Sequence, residues 1–269
     1  MTVTFSRHQG TSPLLISIPH DGRRLPPRIA ARMTEEGQGL PDTDWHVRKL
    51  YGFAKLSGAT VIEAKYSRYV VDLNRSADDG LLYEGRKSTG LCPLRTFAGH
   101  DIYRQGETVS ERQKARRIAR YWQPYHDELS DSLAYIKDQF GYALLWDAHS
   151  IRSSLPLLFE DELPDLNIGT NSGQSCPKVV EDAVARVAAD SPFSFVVNGR
   201  FTGGFITRHY GNPGSKVFAL QLELAQRCYM SEKSLRYDEG RAAILCTTLN
   251  EMLAAAQESA AAVDLIREP

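Results

Sequence analysis

Short apolar runs alternate with segments of helical periodicity along most of this 269-residue chain. Runs such as Leu14–Ile18, Thr60–Ala64 and Val217–Leu224 are typical of strands buried within a sheet. Between them, segments such as Glu107–Phe140 place apolar residues at helical spacing, with a break near its proline. The alternation predicts an α/β fold: a single three-layer α/β/α domain over residues 1–269, with a mixed, mostly parallel central sheet.

The remaining elements are assigned on the same grounds. Further strands are expected at Tyr69–Leu73, Tyr142–Trp146, Asp165–Gly169, Phe193–Asn198 and Gly203–Thr207. Further helices are expected at Trp45–Leu56, Pro177–Asp190 and Ser231–Ile266. The irregular stretch Ser76–Gly106 is interpreted as an active-site cover, because structureless segments of that length are usually functional.

Charge and cysteine usage narrow the class of protein. A net charge of −1 and a pI near 6.7 leave no basic excess to neutralise a phosphate backbone, which argues against nucleic acid as a partner. The sequence lacks an apolar run of the roughly 18 residues that a membrane span needs. Its four cysteines lie far apart, and its first residues do not resemble a signal peptide. We therefore expect a cytoplasmic protein whose cysteines are buried thiols.

Two histidines indicate a metal site. His20 and His149 each follow an apolar strand, and the carboxyl ends of neighbouring strands line the crevice where α/β sheets bind ligands. Two imidazoles and a carboxylate are the ligand set of hydrolytic zinc sites that leave a position open for water. Asp21 is adjacent to His20 but should point away from it, whereas Asp44 could reach back from a helix entry. The alternative for Asp44 is a helix N-cap.

Two further groups of polar residues are candidates for substrate binding and catalysis. In the run from Ser67 to Arg75, an apolar strand is followed by Asn74 and Arg75. The amide of Asn74 and the guanidinium of Arg75 can both donate hydrogen bonds to the carboxylate of a ligand. Arg68 could instead face an acyl oxygen. Glu223, near a metal, is the usual general base for a bound water. If its strand lay at an exposed edge, this carboxylate would have no such role.

Six stretches of the sequence resemble those of a known family. They are SIPHDG (17–22), LPDTDWHVRKLY (40–51), YSRYVVDLNR (66–75), LLWDAHSIRS (144–153), NGRFTGGFITRHYG (198–211) and LQLELAQRCYM (220–230). In this order they resemble the N-formylglutamate amidohydrolases of histidine degradation. That family is similar in turn to the zinc carboxypeptidases and aspartoacylases.

The resemblance implies a role for each matching residue. It implies that His20 and His149 are metal ligands and that Asn74 and Arg75 bind the substrate carboxylate. It also implies that Arg68 stabilises the oxyanion and that Glu223 is the general base. The wider group places its acidic ligand three residues after the first histidine, where this chain has Arg23. Asp44 is then the preferred third ligand. Arg200 or Arg208 is expected to bind a second substrate carboxylate, although both could instead belong to a surface hairpin.

The function implied is metal-dependent hydrolysis of N-formyl-L-glutamate to formate and L-glutamate. The cofactor is one divalent ion, with zinc expected and cobalt, iron or manganese as alternatives. The partner is a small acidic N-acyl amino acid. Two other functions stay open: an acylase or peptidase acting on another acidic substrate, and a non-catalytic domain that binds acidic ligands.

Overall fold

The computed structural model describes residues 3–80 and 89–266, and its centre is a seven-stranded sheet. The strands are β1 Phe5–His8, β2 Leu14–Ile18, β3 Thr60–Ala64, β4 Ala143–Ile151, β5 Leu166–Gly169, β6 Phe195–Val197 and β7 Val217–Ala225. A separate pair follows, β8 Met230–Ser231 and β9 Arg236–Tyr237. Each strand of the main sheet except β1 was predicted from the sequence.

The strand order in the sheet is β1-β3-β2-β4-β7-β5-β6. Strands β3, β2, β4 and β7 run parallel to one another, while β1 lies antiparallel to β3, and β5 lies antiparallel to β7. The predicted mixed, mostly parallel sheet is therefore confirmed. Its three central strands are the ones whose carboxyl ends carry His20, His149 and Glu223.

Eight α-helices are present in the described part of the chain. They are α1 Pro27–Ala30, α2 Glu35–Gly39, α3 Val47–Leu50, α4 Glu111–Arg117, α5 Gln123–Phe140, α6 Lys178–Asp190, α7 Phe205–Tyr210 and α8 Glu239–Ile266. A π-helical turn, Ile118–Trp122, joins α4 to α5, and 3-10 turns lie at Tyr51–Lys55, Pro213–Ser215 and Gln226–Cys228. The predicted helix at Trp45–Leu56 thus divides into α3 and a 3-10 turn, and the last helix begins later than expected.

Helices cover both faces of the sheet. Alternate residues of β4 point to opposite sides, so Leu144 and Trp146 pack in the core beneath α6 and α8. Ala143 and Leu145 pack on the other face, in the core that α5 covers. This three-layer arrangement is the predicted α/β fold.

The segment Tyr69–Leu73 is not the predicted strand. Residues 68–70 and 73–74 form turns, and the backbone N–H of Asn74 is bound by the Asp72 carboxylate rather than by a neighbouring strand. Short polar side chains compete with ladder hydrogen bonds in this way. The alternation of apolar and polar residues therefore reflects burial of a looped segment.

The predicted strand at Gly203–Thr207 is also wrong, because α7 begins at Phe205. The first backbone N–H groups of this helix are bound from a distance: Gln221 Oε1 accepts from Gly204, and Asn74 Oδ1 accepts from Ile206. A helix start needs such acceptors. Here they lie far away in the sequence, so no local pattern could reveal the helix.

Three further expectations concern the irregular stretch, the cysteines and membrane spans. Of the stretch interpreted as an active-site cover, residues 81–88 lie outside the described residues. Cys92, Cys176 and Cys228 are buried free thiols, and Cys246 is half-buried and also free. In the part of the chain that the structure describes, every helix is too short or too polar to cross a membrane.

Candidate active site

The carboxyl ends of β2, β4 and β7 bring the predicted chemical groups to one edge of the sheet. His20 lies two residues beyond β2, whereas His149 lies inside β4, which runs on to Ile151. Glu223 on β7 is the direct cross-strand partner of His149. Because neighbouring strands are about 4.8 Å apart, these side chains lie beside one another, and both are buried.

His20, Asp44 and His149 form a candidate metal centre. The Nδ1 atom of His149 is 3.1 Å from Asp44 Oδ2, and the Nδ1 atom of His20 is 3.8 Å from the same oxygen. Ligand atoms on a tetrahedral zinc ion lie roughly 3.3 Å apart. The His20 Nδ1 atom is buried and has no hydrogen-bond partner among the described residues. A cation at this point would give that nitrogen the partner it lacks.

Two more carboxylates hold the far sides of the imidazole rings. Nε2 of His20 is 2.7 Å from Asp72 Oδ1, and Nε2 of His149 is 2.9 Å from Asp147 Oδ2. A carboxylate only accepts, so each Nε2 carries the proton and each Nδ1 is directed at Asp44. Histidine ligands of protein-bound metals are usually oriented by such carboxylates. The donor set therefore fits a divalent cation.

The structure distinguishes the two candidate acidic ligands. Asp44 Oδ2 accepts from the backbone N–H of Ser150 and faces both histidines, and α3 has no side-chain N-cap. The carboxylate of Asp21 instead accepts from the backbone and guanidinium of Arg48 and from Arg23. Asp44 is therefore the acidic group that joins the histidines, and neither the N-cap interpretation nor Asp21 fits the geometry.

The two histidines differ in electrostatic environment. Burial and the nearby Arg68 charge lower the pKa of His20, although Asp72 partly opposes them. Burial by itself also lowers the pKa of His149, but the charge and hydrogen bond of Asp147, with the hydrogen bond to Asp44, raise that pKa well above its usual range. The negative charges around His149 thus exceed the positive ones, as expected where a cation is to be bound.

Glu223 has the environment of a reactive carboxyl group. Burial raises its pKa to about 8, with contributions from the Asp44 and Asp147 charges that His149 and Arg68 partly oppose. Gln221, two residues earlier on the same face of β7, donates to Glu223 Oε2 at 3.2 Å. The strand is central rather than at an edge, so Glu223 is not on a solvated face.

Asn74 is bound largely by the protein itself. Its side-chain Nδ2 donates to Asp147 Oδ2 at 3.3 Å and lies 3.0 Å from His149 Nε2. Its side-chain Oδ1 accepts from the backbone N–H of Ile206. A Cβ atom at Gly204 would lie 2.2 Å from the Asn74 amide nitrogen, so glycine is required there. Asn74 therefore connects His149 to the start of α7.

A cavity of about 90 Å³ opens onto the candidate metal centre. Of the predicted site residues, the following line it: His20, Arg68, Asn74, Arg75, His149, Arg200 and Glu223. Arg68 lies between Asp72, 2.7 Å from its guanidinium, and the Phe97 ring, 4.8 Å away. Arg208 is not among the described residues that line the cavity, and its guanidinium donates to Gly203 and Thr202.

No role was predicted from the sequence for Asp72, Asp147 or Gln221. Asp147 precedes His149 by two residues on a strand, which places both on one face, so this partner could have been found. The same spacing relates Gln221 to Glu223. Asp72 gave no such signal, because it meets His20 only through the fold of the looped segment.

Comparison with known sequences identifies the family. The sequence model of the family described as N-formylglutamate amidohydrolase matches residues 12–230. An N-formylglutamate deformylase from Pseudomonas aeruginosa is 51% identical over 87% of this chain and 88% of that protein. Another from Pseudomonas putida is 47% identical over 95% of this chain and 96% of its own length.

Solved structures show the same fold. N-formylglutamate amidohydrolase from Ralstonia eutropha JMP134 has a TM-score of 0.80 at 24% identity, covering 94% of this chain and 97% of that one. The gene product Atu2144 from Agrobacterium tumefaciens has a TM-score of 0.75 at 15% identity over 95% of each chain. With a family match across most of its length and two relatives near half identity, this chain belongs to the N-formylglutamate amidohydrolase family.

Proposed function

We propose that this chain hydrolyses N-formyl-L-glutamate to formate and L-glutamate in a metal-dependent reaction. The observation that carries the proposal is the convergence of a buried His-Asp-His cluster with a buried glutamate beside one small cavity. The relatives' names supply the substrate. The arginines around the cavity supply the positive charge that a dianionic substrate needs.

His20, Asp44 and His149 would hold the divalent ion, and zinc suits two nitrogen donors and one carboxylate. Such an ion, when bound, lowers the pKa of a water molecule and polarises a carbonyl group. Asp72 and Asp147 orient the two imidazoles, so that Nδ1 of each ring faces the cation.

Glu223 is the proposed general base. In its ionised form, which the positive charge of a bound ion would favour, the carboxylate takes a proton from the attacking water and returns it to the departing amine nitrogen, so that the C–N bond of the formamide breaks and L-glutamate leaves. Gln221 donates to Oε2, which fixes one carboxylate oxygen. The other oxygen is then available for the proton transfer.

Arg68 is the proposed oxyanion arginine. Its guanidinium is held by Asp72 and stacks on Phe97, so it is oriented before substrate binds. The pKa of Arg68 is raised above its ordinary value, because the Asp72 and Asp44 charges outweigh the effect of burial. A fixed positive charge at the reacting carbonyl stabilises the tetrahedral oxyanion, and removal of one such donor typically costs about 3 kcal/mol.

Arg75 and Arg200 are the proposed carboxylate-binding groups. Arg75 donates through Nη1 to the Asn74 carbonyl oxygen, while its Nε is buried without a hydrogen-bond partner among the described residues. Arg200 lines the same cavity. A formyl group offers little to hold, so selectivity has to come from these two cations. Arg208 is a weaker candidate because it does not line the cavity.

Turnover of three substrates tests the proposal. We expect the purified protein to release formate from N-formyl-L-glutamate much faster than it releases acetate from N-acetyl-L-glutamate or an amino acid from a glutamyl peptide. Faster cleavage of either larger substrate would assign the chain to the acylases or peptidases instead. Binding of L-glutamate without any turnover would favour a non-catalytic domain.

Arg75→Met should raise KM for N-formyl-L-glutamate and leave the metal content unchanged. A hydrogen bond to a charged group contributes about 1.5–3 kcal/mol, which corresponds to roughly a 10- to 150-fold increase in KM. Steady-state kinetics and metal analysis of the same preparations measure both effects. Arg208→Met is the matched control and should change KM little; a parallel loss of metal in Arg75→Met would argue against a role in substrate binding alone.

A further inference from the structure

The looped segment 67–75 holds much of the proposed site, although it lies outside the sheet. It carries Arg68, Asp72, Asn74 and Arg75, and all four side chains have defined partners. A strand would be held in place by its neighbours, whereas a looped segment must find other donors for its backbone carbonyl groups. The structure shows where these donors come from.

Three side chains from one continuous helical stretch bind the carbonyl groups of this segment. Arg117 Nη1 donates to the carbonyl oxygen of Val70 at 3.0 Å. His126 Nε2 lies 2.9 Å from the carbonyl oxygen of Leu73, and Trp122 Nε1 donates to that of Arg75 at 2.9 Å. The last two donors therefore bracket Asn74 from either side.

The π-helical turn at Ile118–Trp122 explains how these donors share one face. In an α-helix of about 100° per residue, positions 117 and 122 would point about 140° apart. A π-turn accommodates one extra residue, which brings Trp122 to within about 40° of Arg117. His126 follows four residues later, on the same side.

Packing around the two donors is tight. The rings of Trp122 and His126 stack at a centroid distance of 3.8 Å, and Phe205 of α7 contacts both. Burial lowers the pKa of His126 to about 3, although the Leu73 carbonyl group partly opposes this, so the ring is neutral. Because a carbonyl oxygen only accepts, Nε2 carries the proton, and Nδ1 lies 2.9 Å from the Tyr210 hydroxyl.

We propose that Trp122 and His126 are positioning residues, which fix the backbone on both sides of Asn74 and so aim the Arg75 guanidinium at a substrate carboxylate. The inference rests on the proposed function of Arg75. Neither ring is among the described residues that line the cavity, so any effect on substrate must act through the looped segment.

Trp122→Phe removes the indole N–H group and keeps an aromatic ring against His126. We expect KM for N-formyl-L-glutamate to rise about 3- to 10-fold, the range of one net hydrogen bond, with kcat and metal content within about twofold of the wild type. An unchanged KM in an active variant would overturn the inference. Wild-type turnover is measured first, so failure of the proposed function is recognised separately.

A double-mutant cycle shows whether Trp122 acts through Arg75. In an Arg75→Met background, Trp122→Phe should no longer raise KM, because no guanidinium is left to position. An increase of the same size in both backgrounds would show that the effect does not pass through Arg75 and would overturn the inference.

Three further variants keep the test independent of stability. Trp146→Phe removes another indole hydrogen bond, to Tyr51 on the opposite face of the sheet, and should lower Tm without changing KM. His126→Gln retains a donor for the Leu73 carbonyl group, whereas His126→Leu does not. We expect KM to rise in His126→Leu and to return towards the wild type in His126→Gln; equal KM values in these two variants would contradict a positioning role for His126.

Discussion

Glu223→Gln should lower kcat about 100- to 10,000-fold, the usual contribution of a positioned acid-base group. Glutamine has nearly the shape of the carboxyl group and can still pair with Gln221, so KM and metal content should stay close to those of the wild type. The amide cannot accept the proton from water or deliver it to the leaving nitrogen. Pre-steady-state and steady-state rates of formate release measure the loss.

Glu181→Gln is the matched control. Glu181 is also a buried glutamate with side-chain partners, but it lies on α6 and accepts from Asn198 and Lys178, outside the cavity. We expect this variant to lose some stability and to keep kcat. If Glu223→Gln retained wild-type turnover, the general base would have to be another group.

Asp44→Asn should release the metal and abolish turnover. The substitution removes the negative charge that faces both histidines while keeping an oxygen that can accept from Ser150. Loss of a residue that only orients a ligand weakens metal binding roughly 10- to 100-fold, and loss of the ligand itself should exceed that. Equilibrium dialysis against zinc, with protein quantified in parallel, measures the affinity.

Asp21→Asn separates the two acidic candidates. Asp21 is adjacent to His20 in the sequence and equally buried, yet its carboxylate pairs with Arg23 and Arg48. We therefore expect this variant to keep its metal. The opposite pattern, with metal lost from Asp21→Asn and retained by Asp44→Asn, would show that the assignment of the acidic ligand is wrong.

The sequence alone predicted the helices and strands that depend on the residue pattern within the segment itself. Leu14–Ile18 and Thr60–Ala64 are continuous apolar runs, and each is a strand in the structure. Because parallel strands present their carboxyl ends at one edge, the sequence also indicated that His20 and His149 would meet. The cluster that includes Asp44 agrees with that expectation.

The elements that were missed depend on contacts between distant parts of the chain. The looped segment alternates apolar and polar residues like a strand, but its carbonyl groups bind Trp122 and His126, about fifty residues away. The start of α7 depends on Asn74 and Gln221 in the same way. The secondary-structure propensity of a segment does not depend on such distant partners. Both segments were therefore predicted as strands.

The arginines show a similar limit. Arg200 and Arg208 lie close together in the sequence, after or beside glycines, and the sequence offers no ground for choosing between them. The structure places Arg200 at the cavity and directs Arg208 to Gly203 and Thr202. The helical backbone of α7, which was not predicted, decides this difference.

Metal analysis of the purified protein decides whether the proposed reaction needs a metal ion. We propose that His20, Asp44 and His149 bind one divalent cation on which hydrolysis depends. We predict one equivalent of metal per chain, loss of both metal and formate release after chelation, and recovery of both on adding zinc or another suitable divalent ion. Full turnover by a metal-free preparation would contradict this proposal.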